Sequence, residues 1–213
     1  YERYRRELHE ANALDFDDLL LRTVELFATA ERVKRRYSEQ FRFIMVDEYQ
    51  DTNQPQYLLI RHLADHHRNL CVVGDPDQSI YSWRSADIRN ILSFQQDYPE
   101  AQVVTLEENY RSTENILEAA HGVISANRKR MDKPLLTHNK RGKPVFVGEA
   151  FNPEEEAQQV LREIERLNGE DGHSLGECAV MYRVNAQSRA LEEGCLRYGI
   201  AYKLDLLPLG QRI

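Results

Sequence analysis

Residues 43–53 read FIMVDEYQDTN, in which four consecutive apolar residues lead directly into Asp47 and Glu48. An apolar run without polar alternation is typical of a strand buried on both faces of a parallel sheet. Ligands of open α/β sheets bind at the carboxyl ends of the strands, so the two acids stand where a phosphate-bound metal and an attacking water would lie. The pattern is that of a Walker B element, although two acids also suit a surface turn before a helix.

A second apolar run, at residues 70–73, ends at Gly74 and is followed by polar residues. Between the two runs, residues 54–67 carry Pro55 where a first helical turn accepts it, together with apolar positions that can pack. A strand, a helix and a second strand form a crossover unit, in which both strands deliver their polar ends to one edge of the sheet. The side chains predicted to converge at that edge are Asp47, Glu48, Asp75 and Gln78.

The rest of the chain also alternates between helical and extended patterns. Asp15 is placed to cap a helix, and Asn152 before Pro153 is a second start signal. Further helices are predicted at 2–13, 16–27, 87–97, 112–124, 153–167 and 186–198. Further strands are predicted at 102–106, 144–150 and 178–182. The predicted fold class is therefore α/β, with parallel sheets flanked by helices, in two units that comprise residues 1–110 and 111–213.

Composition is ordinary for a globular protein, with 41% hydrophobic and 30% charged residues in a chain of 213. No apolar stretch approaches the roughly 20 residues needed to cross a bilayer, and residues 1–6 lack the apolar part of a secretion signal. We therefore expect no membrane partner and a cytoplasmic location. The net charge of -7 argues against broad coating by nucleic acid, yet a local groove can be basic in an acidic protein.

Three long motifs resemble motifs II, III and IV of the UvrD/PcrA/Rep group of superfamily 1 DNA helicases. They are VDEYQDTN at 46–53, VVGDPDQSIYSWR at 72–84 and LEENYRST at 106–113. The segments DFDDLL at 15–20 and MYRVNAQSR at 181–189 are similar to the same family, so the resemblance extends to about residue 203. It implies two RecA-like domains, the first without its beginning and the second without its end.

The resemblance also implies roles in the use of ATP and Mg²⁺. Asp47 would help to hold Mg²⁺, and Glu48, beside the same metal, would activate the attacking water. Gln78 would sense the γ-phosphate and link it to the DNA site. Arg111 would reach across the domain cleft to the same phosphate, while Tyr110 would stack on the adenine. Outside such a motif, Arg111 suits a surface salt bridge and Tyr110 a packed aromatic.

The side chains predicted to bind DNA lie in two segments. Tyr81, Trp83 and Arg84 can stack on bases or pair with the backbone without regard to sequence, although two aromatics this close often serve packing. Arg183 and Asn185 resemble positions that contact single-stranded DNA. For these two, a helix cap at Asn185 and a solvated Arg183 are an equally good interpretation.

No Gly-x-x-x-x-Gly-Lys-Ser/Thr phosphate loop occurs in the sequence, and the later motifs of the family are also missing. With no initiator Met, the chain is expected to be an internal piece of an ATP-driven DNA helicase, whose 3′-to-5′ polarity is implied by the family alone. Its expected partners are single-stranded DNA, duplex junctions and the rest of the helicase chain. Without the phosphate loop, the isolated chain is predicted to hydrolyse ATP poorly or not at all. Residues 204–213 depart from the family pattern.

Two alternatives from other functional classes stay open. One is a non-catalytic DNA-binding or interaction module that has kept the fold and lost the motor. The other is a metal-dependent nuclease, since paired metals drive phosphodiester cleavage without ATP. The carboxylates available to such a metal cluster are Asp47, Glu48, Asp51, Asp75 and Asp77. This interpretation gives Gln78, Tyr110 and Arg111 no role.

Overall fold

The computed structural model describes residues 1–127, 130, 133 and 135–204. Contacts within the chain divide it into two compact units, residues 1–144 (unit 1) and 145–213 (unit 2). The divergent tail at 205–213 lies outside the described residues. Among the residues that are described, no helix is both long and apolar enough to cross a membrane.

Unit 1 begins with three helices. They are α1 (Glu2–Glu10), α2 (Phe16–Thr29) and α3 (Glu31–Gln40). Asp15 caps α2 as predicted, because its Oδ1 accepts a hydrogen bond from the N–H of Asp18 at 2.8 Å. Phe27 on α2 is buried, and its ring centroid lies 5.7 Å from that of Tyr37 on α3. These aromatic contacts form the first part of the core.

The sheet of unit 1 consists of β1 (Ile44–Val46) and β2 (Leu70–Val72), joined through α4 (Gln54–Ala64). The strands are parallel, with Ile44 opposite Leu70 and Val46 opposite Val72. Asn53 and Gln56 form a reciprocal capping box at the start of α4, and Pro55 lies in its first turn. The predicted strand, helix and parallel strand are confirmed.

The predicted burial of β1 on both faces is wrong. Met45, at the centre of the strand, is 79% exposed, and Cys71 opposite it on β2 is exposed as well. The residues on either side of them along the strands are half-buried. Side chains alternate between the two faces of a strand, so in the described part of the chain this sheet is covered on one face only.

After β2, the chain of unit 1 forms short helical segments. They are 3₁₀ helices at Pro76–Gln78 and Ser82–Arg84, followed by α5 (Arg89–Leu92), α6 (Phe94–Asp97) and the longer α7 (Glu114–Ile124). The single helix predicted at 87–97 is therefore broken at Ser93. Phe94 packs edge-on against buried Tyr49 and stacks on Tyr98, with ring centroids 5.6 and 4.8 Å apart. Through Tyr49, this aromatic cluster packs against the turn after β1.

Unit 2 contains two long helices, α8 (Pro153–Gly169) and α9 (Ser188–Tyr198), with 3₁₀ turns at Leu175–Glu177 and Asn185–Gln187. Asn152 caps α8 by accepting the N–H of Glu155 at 2.8 Å. The helices pack through Leu161, which is 2% exposed. A Cβ at Gly194 would lie 2.6 Å from Cδ1 of Leu161, so this position of α9 requires glycine for close packing.

Three predicted strands, at 102–106, 144–150 and 178–182, are absent from the described structure, where these segments have no regular form. Their apolar residues are largely exposed, as Val147 at 97% and Met181 at 94% illustrate. A strand forms only where a neighbour satisfies its backbone N–H and C=O groups, and an apolar run does not supply that neighbour. The α/β class is confirmed, but the described residues hold one parallel sheet in place of the expected two.

Candidate functional site

The turn after β1 presents the two predicted acids to solvent. Asp47 and Glu48 are exposed, whereas the next two residues, Tyr49 and Gln50, are each 1% exposed. Glu48 has a left-handed backbone with φ 51°, and its N–H donates to Oδ1 of Asp47 at 2.9 Å. A non-glycine residue adopts this conformation at a cost and does so mostly in turns and functional sites. The buried side chains of Tyr49 and Gln50 hold this turn in place.

Gln50 joins the turn after β1 to the loop after β2. Its Nε2 donates to Oε2 of Glu48 at 2.7 Å and to Oδ2 of Asp51 at 3.3 Å. Its Oε1 accepts the backbone N–H of Asp75 at 3.0 Å. The sequence analysis assigned no role to Gln50, because periodicity says nothing about a polar side chain inside a three-residue turn.

The loop after β2 is organised around the carboxylate of Asp75. Its Oδ1 accepts the N–H of Asp77 at 3.0 Å, and its Oδ2 accepts Nε2 of Gln78 at 2.8 Å. Lys133 forms an ion pair with Asp75, and Arg130 one with Asp77 at 3.3 Å. Burial alone would raise the pKa of Asp75, but the hydrogen bonds from Lys133 and Gln78 outweigh it and lower that pKa.

Asp51 lies at the inner side of the same turn. Burial, followed by repulsion from Glu48, raises its pKa, and its Oδ1 is buried without a hydrogen-bond partner in the described structure. The backbone N–H groups of Ile80 and Tyr81 oppose this rise in pKa in part, although neither has hydrogen-bond geometry to Oδ1.

The metal cluster that a nuclease would require is not formed. No group of three or more His, Cys, Asp or Glu side chains in the described part of the chain is arranged to hold a metal ion. Asp75 and Asp77 are instead paired with Lys133 and Arg130. Two of the five carboxylates that the nuclease interpretation named are therefore engaged in ion pairs.

Three of the four side chains predicted to converge belong to one hydrogen-bonded path. It runs from Glu48 through Gln50 to the backbone of Asp75, and from the carboxylate of Asp75 to Gln78. Asp47 adjoins this path through the N–H of Glu48. The roles of these residues in ATP use stay predictions.

Tyr110 and Arg111 are exposed at the end of an irregular segment before α7. The hydroxyl of Tyr110 donates to Oε2 of Glu108 at 2.7 Å, which raises the pKa of Tyr110. The N–H of Arg111 donates to Oδ1 of Asn109 at 3.0 Å, so the backbone is held. No hydrogen bond or ion pair of the Arg111 guanidinium occurs within the described residues. The surface salt bridge considered for Arg111 is thus not formed there, and its predicted role stays untested.

Tyr81, Trp83 and Arg84 form one exposed cluster in the loop after Gln78. The Arg84 guanidinium lies 5.6 Å from the ring centroid of Tyr81 and 4.8 Å from that of Trp83. The two rings are 6.2 Å apart and tilted by 55°. Trp83 is 56% exposed, so the interpretation of this residue as core packing is wrong. Its predicted contact with DNA stays a prediction.

Arg183 and Asn185 are exposed in unit 2. The side chain of Gln187 makes the local turn, because its Oε1 accepts the N–H groups of Arg183 and Val184, both at 3.0 Å. Neither the 3₁₀ turn at 185–187 nor α9 has a cap hydrogen bond from the side chain of Asn185. The cap considered for Asn185 is therefore wrong, and the DNA-binding roles of the two residues stay predictions.

Two cavities of unit 1 lie away from the predicted sites. One of about 620 Å³ lies between α1 and α2 and includes Arg5, His9 and Arg22 in its lining. Another of about 190 Å³ lies between α3 and α4. Neither is lined by a residue of the predicted ATP or DNA sites, so the functional argument rests on the hydrogen-bonded path and the exposed cluster.

Comparison with known proteins gives two family matches. The UvrD/REP helicase N-terminal domain matches residues 1–99, and the UvrD-like helicase C-terminal domain matches residues 104–205. The boundary predicted at residue 110 stays a prediction. Among similar proteins, the ATP-dependent DNA helicase PcrA of Staphylococcus epidermidis is 49% identical over 204 residues, and that of Staphylococcus aureus is 48% identical. Each match covers 96% of this chain and 28% of the relative, so the chain spans less than a third of their length.

Proposed function

We propose that this chain, which belongs to the UvrD/REP helicase family, is an internal part of an ATP-dependent DNA helicase that moves on single-stranded DNA in the 3′-to-5′ direction. The observation that carries the proposal is the path from Glu48 through Gln50 and Asp75 to Gln78 at the ends of two paired parallel strands. Nucleoside triphosphate hydrolysis relies on such positioned groups more than on covalent chemistry by the protein.

The acidic pair suits a magnesium ion that accompanies ATP. Mg²⁺ prefers oxygen ligands and is usually held through one or two carboxylates, with water and substrate phosphates completing its shell. Asp47 and Glu48 are exposed carboxylates at the end of β1, and the described residues form no cage of three protein ligands. The two carboxylates fit a metal of this kind. When bound, the metal would neutralise charge on the phosphates. Asp47 would be its ligand, with Glu48 beside it holding the attacking water and accepting its proton.

Three further side chains would complete the response to ATP. Gln78 would contact the γ-phosphate, and its bond to Asp75 supports this by fixing the amide at the outer end of the path. Arg111 would contact the same phosphate, because its exposed side chain is accessible to a ligand. Tyr110, which is 78% exposed, would stack on the adenine. An arginine in this role stabilises the charge of the transition state.

The DNA partner would be single-stranded DNA and its junctions with duplex. Tyr81 and Trp83 offer aromatic faces on which any base can stack, and Arg84 lies against both rings. The segment that carries them directly follows Gln78, so one short stretch of chain would touch both ATP and DNA. Arg183 and Asn185 in unit 2 would add contacts to the strand.

The rest of the helicase chain is the remaining proposed partner. No phosphate loop occurs in the sequence, so that part of the protein would supply it, together with the later motifs of the family. We propose that the whole protein acts in the cytoplasm, where it meets chromosomal or plasmid DNA. The isolated 213 residues would hydrolyse ATP poorly or not at all.

The test uses the full-length protein that contains this chain. DNA-stimulated ATP hydrolysis is measured first, followed by unwinding of duplexes with a 3′ or a 5′ single-stranded tail. We expect turnover and unwinding from the 3′ tail, and a loss of both in Glu48→Gln. Glu165→Gln, an exposed glutamate of α8, is the matched control and should behave as the unaltered protein.

One outcome would favour the alternative of a non-catalytic module. If the full-length protein binds single-stranded DNA but shows no Glu48-dependent ATP turnover, the motor proposal fails and the binding module remains. The exposed Tyr81, Trp83 and Arg84 cluster is compatible with either function.

A further inference from the structure

We infer that Gln50 is a positioning residue that holds the Glu48 carboxylate in place and couples it to the loop that carries Gln78. The inference rests on the proposed function, because it assigns Gln50 a part in the same ATP-hydrolysing site. Gln50 does not extend to the exposed surface where substrate would bind, as it is 1% exposed. It would therefore act through Glu48 and Asp75.

The two ends of the Gln50 amide make different bonds. The N–H₂ end donates to the carboxylate of Glu48 at 2.7 Å, and the oxygen end accepts the N–H of Asp75 at 3.0 Å. The glutamine side chain offers a neutral donor and a neutral acceptor on one planar group. A hydrogen bond to a carboxylate is also among the stronger ones available. An exposed glutamate has several rotamers, and this bond selects one of them.

Gly74 provides independent support, because it lets the loop after β2 approach Gln50 closely. A Cβ at Gly74 would lie 2.6 Å from Oε1 of Gln50, 2.9 Å from Cδ1 of Ile91 and 3.1 Å from the backbone N of Tyr49. Real Cβ atoms do not approach this closely, so a side chain at position 74 would displace the Gln50 amide and also press on Ile91 and the backbone of Tyr49. The loop after β2 therefore lies directly against the Gln50 amide, with no space for a side chain at position 74.

The path gives a physical route between Gln78 and Glu48. A displacement of Gln78 is transmitted to Asp75 through the 2.8 Å bond between their side chains, and Asp75 is bonded through its N–H to Gln50. Gln50 in turn holds Glu48. A change at Gln50 should therefore alter the rate of the chemical step while leaving the binding of ATP nearly unchanged.

The first test is Gln50→Met in the full-length protein, which keeps the length of the side chain and removes all three hydrogen bonds of the amide, to Glu48, Asp51 and Asp75. We expect kcat for DNA-stimulated ATP hydrolysis to fall by about 10- to 100-fold, with KM for ATP changed by less than about 2-fold. Asn90→Leu is the matched control, because Asn90 is 5% exposed and its amide donates only to Thr52. The control should keep kcat within about 2-fold.

The second test is Gly74→Ala, alone and combined with Gln50→Met. If the new methyl group acts by displacing the amide, Gly74→Ala should lower kcat alone but add little in the Gln50→Met background. If Gln50→Met fails to fold, as judged by thermal unfolding, Gly74→Ala alone carries the test.

Three outcomes would overturn the inference. They are a normal kcat in Gln50→Met, an equal loss in Asn90→Leu, and a full additional loss from Gly74→Ala in the Gln50→Met background. If the unaltered full-length protein hydrolyses no ATP, the proposed function itself fails, which is a different result from these three.

Discussion

The two parts of the candidate site differ in how their side chains are held. In the turns after β1 and β2, Glu48 and Gln78 are tied to buried or half-buried partners through Gln50 and Asp75. At 110–111 and 183–185, hydrogen bonds hold the backbone, while the side chains of Arg111 and Arg183 extend into solvent. The first part is organised by side-chain contacts, whereas in the second the backbone is fixed and the two arginine side chains are not.

Because of this difference, substitutions in the two parts should differ in whether they change stability as well as activity. A substitution in the first part should disturb local structure as well as turnover, because each side chain has partners that would be left unpaired. A substitution in the second part should change activity alone, since little in the described structure depends on the side chain.

Arg111→Ala should lower the rate of DNA-stimulated ATP hydrolysis in the full-length protein by about 10³-fold or more, because an arginine on the γ-phosphate stabilises the transition state. Its thermal unfolding should be unchanged, since the guanidinium has no hydrogen bond or ion pair within the described residues. Arg141→Ala, another exposed arginine of unit 1, serves as the control for loss of charge. A marked fall in the unfolding temperature of Arg111→Ala would break the distinction between the two parts.

Trp83→Ala should weaken binding of single-stranded DNA by about 1–3 kcal/mol, because base stacking on an aromatic ring contributes that much. Equilibrium titration with a fluorescent oligonucleotide measures the Kd. Phe151→Ala is the control, as Phe151 is fully exposed and lies outside the predicted sites. Equal losses of DNA affinity in both variants would show that any exposed aromatic side chain contributes to binding, whatever its position.

Lys133→Ala should loosen the loop after β2 at neutral pH. Losing a hydrogen bond to a charged group costs about 1.5 kcal/mol, or roughly a tenfold loss of protection of the amides of Asp75, Asp77 and Gln78 in hydrogen exchange. Lys140→Ala, which removes an exposed lysine of unit 1, should leave this protection unchanged.

The same variant has a defined pH dependence. In the folded protein the pKa of Asp75 lies below its ordinary value of 3.8, so the ion pair stabilises the loop above that pH. This contribution is lost as the pH falls through the lowered folded pKa. The difference between Lys133→Ala and the unaltered protein should therefore shrink in the acid range below about pH 4. A difference that persists undiminished there would mean that Lys133 acts by packing.

Arg183→Ala should have the smallest effect. If its guanidinium contacts one phosphate of single-stranded DNA, the slope of log K against log salt should become less steep by about 0.7, with no change in unfolding. Arg162→Ala on α8 is the control in the same unit. An unchanged salt slope would remove Arg183 from the DNA site.

What could be predicted from the sequence is the part fixed by local signals. The apolar runs and Pro55 predicted β1, α4 and β2, and the acids at their ends predicted the position of Glu48 and Gln78 along one edge. Asp15 marked the start of α2 because a cap depends only on residues three apart. These features are determined within a few residues of chain.

What could not be predicted depends on distant partners. The role of Gln50 arises where two turns meet, and the ion pairs of Asp75 and Asp77 come from residues more than fifty positions later in the chain. The runs at 144–150 and 178–182 look like strands, yet a strand also requires an adjacent backbone that composition does not reveal. Apolar patterning therefore indicates which segments tend to be extended and leaves their pairing open.

If the loop at 74–84 links ATP to DNA, binding of the one must change the affinity for the other. The Kd for single-stranded DNA is measured with the full-length protein, with and without a non-hydrolysable ATP analogue, and again in Gln78→Ala. We predict that the analogue changes the Kd of the unaltered protein severalfold and has no effect on the variant, whose Kd without nucleotide stays normal. A Kd that is indifferent to the analogue in the unaltered protein would contradict the account.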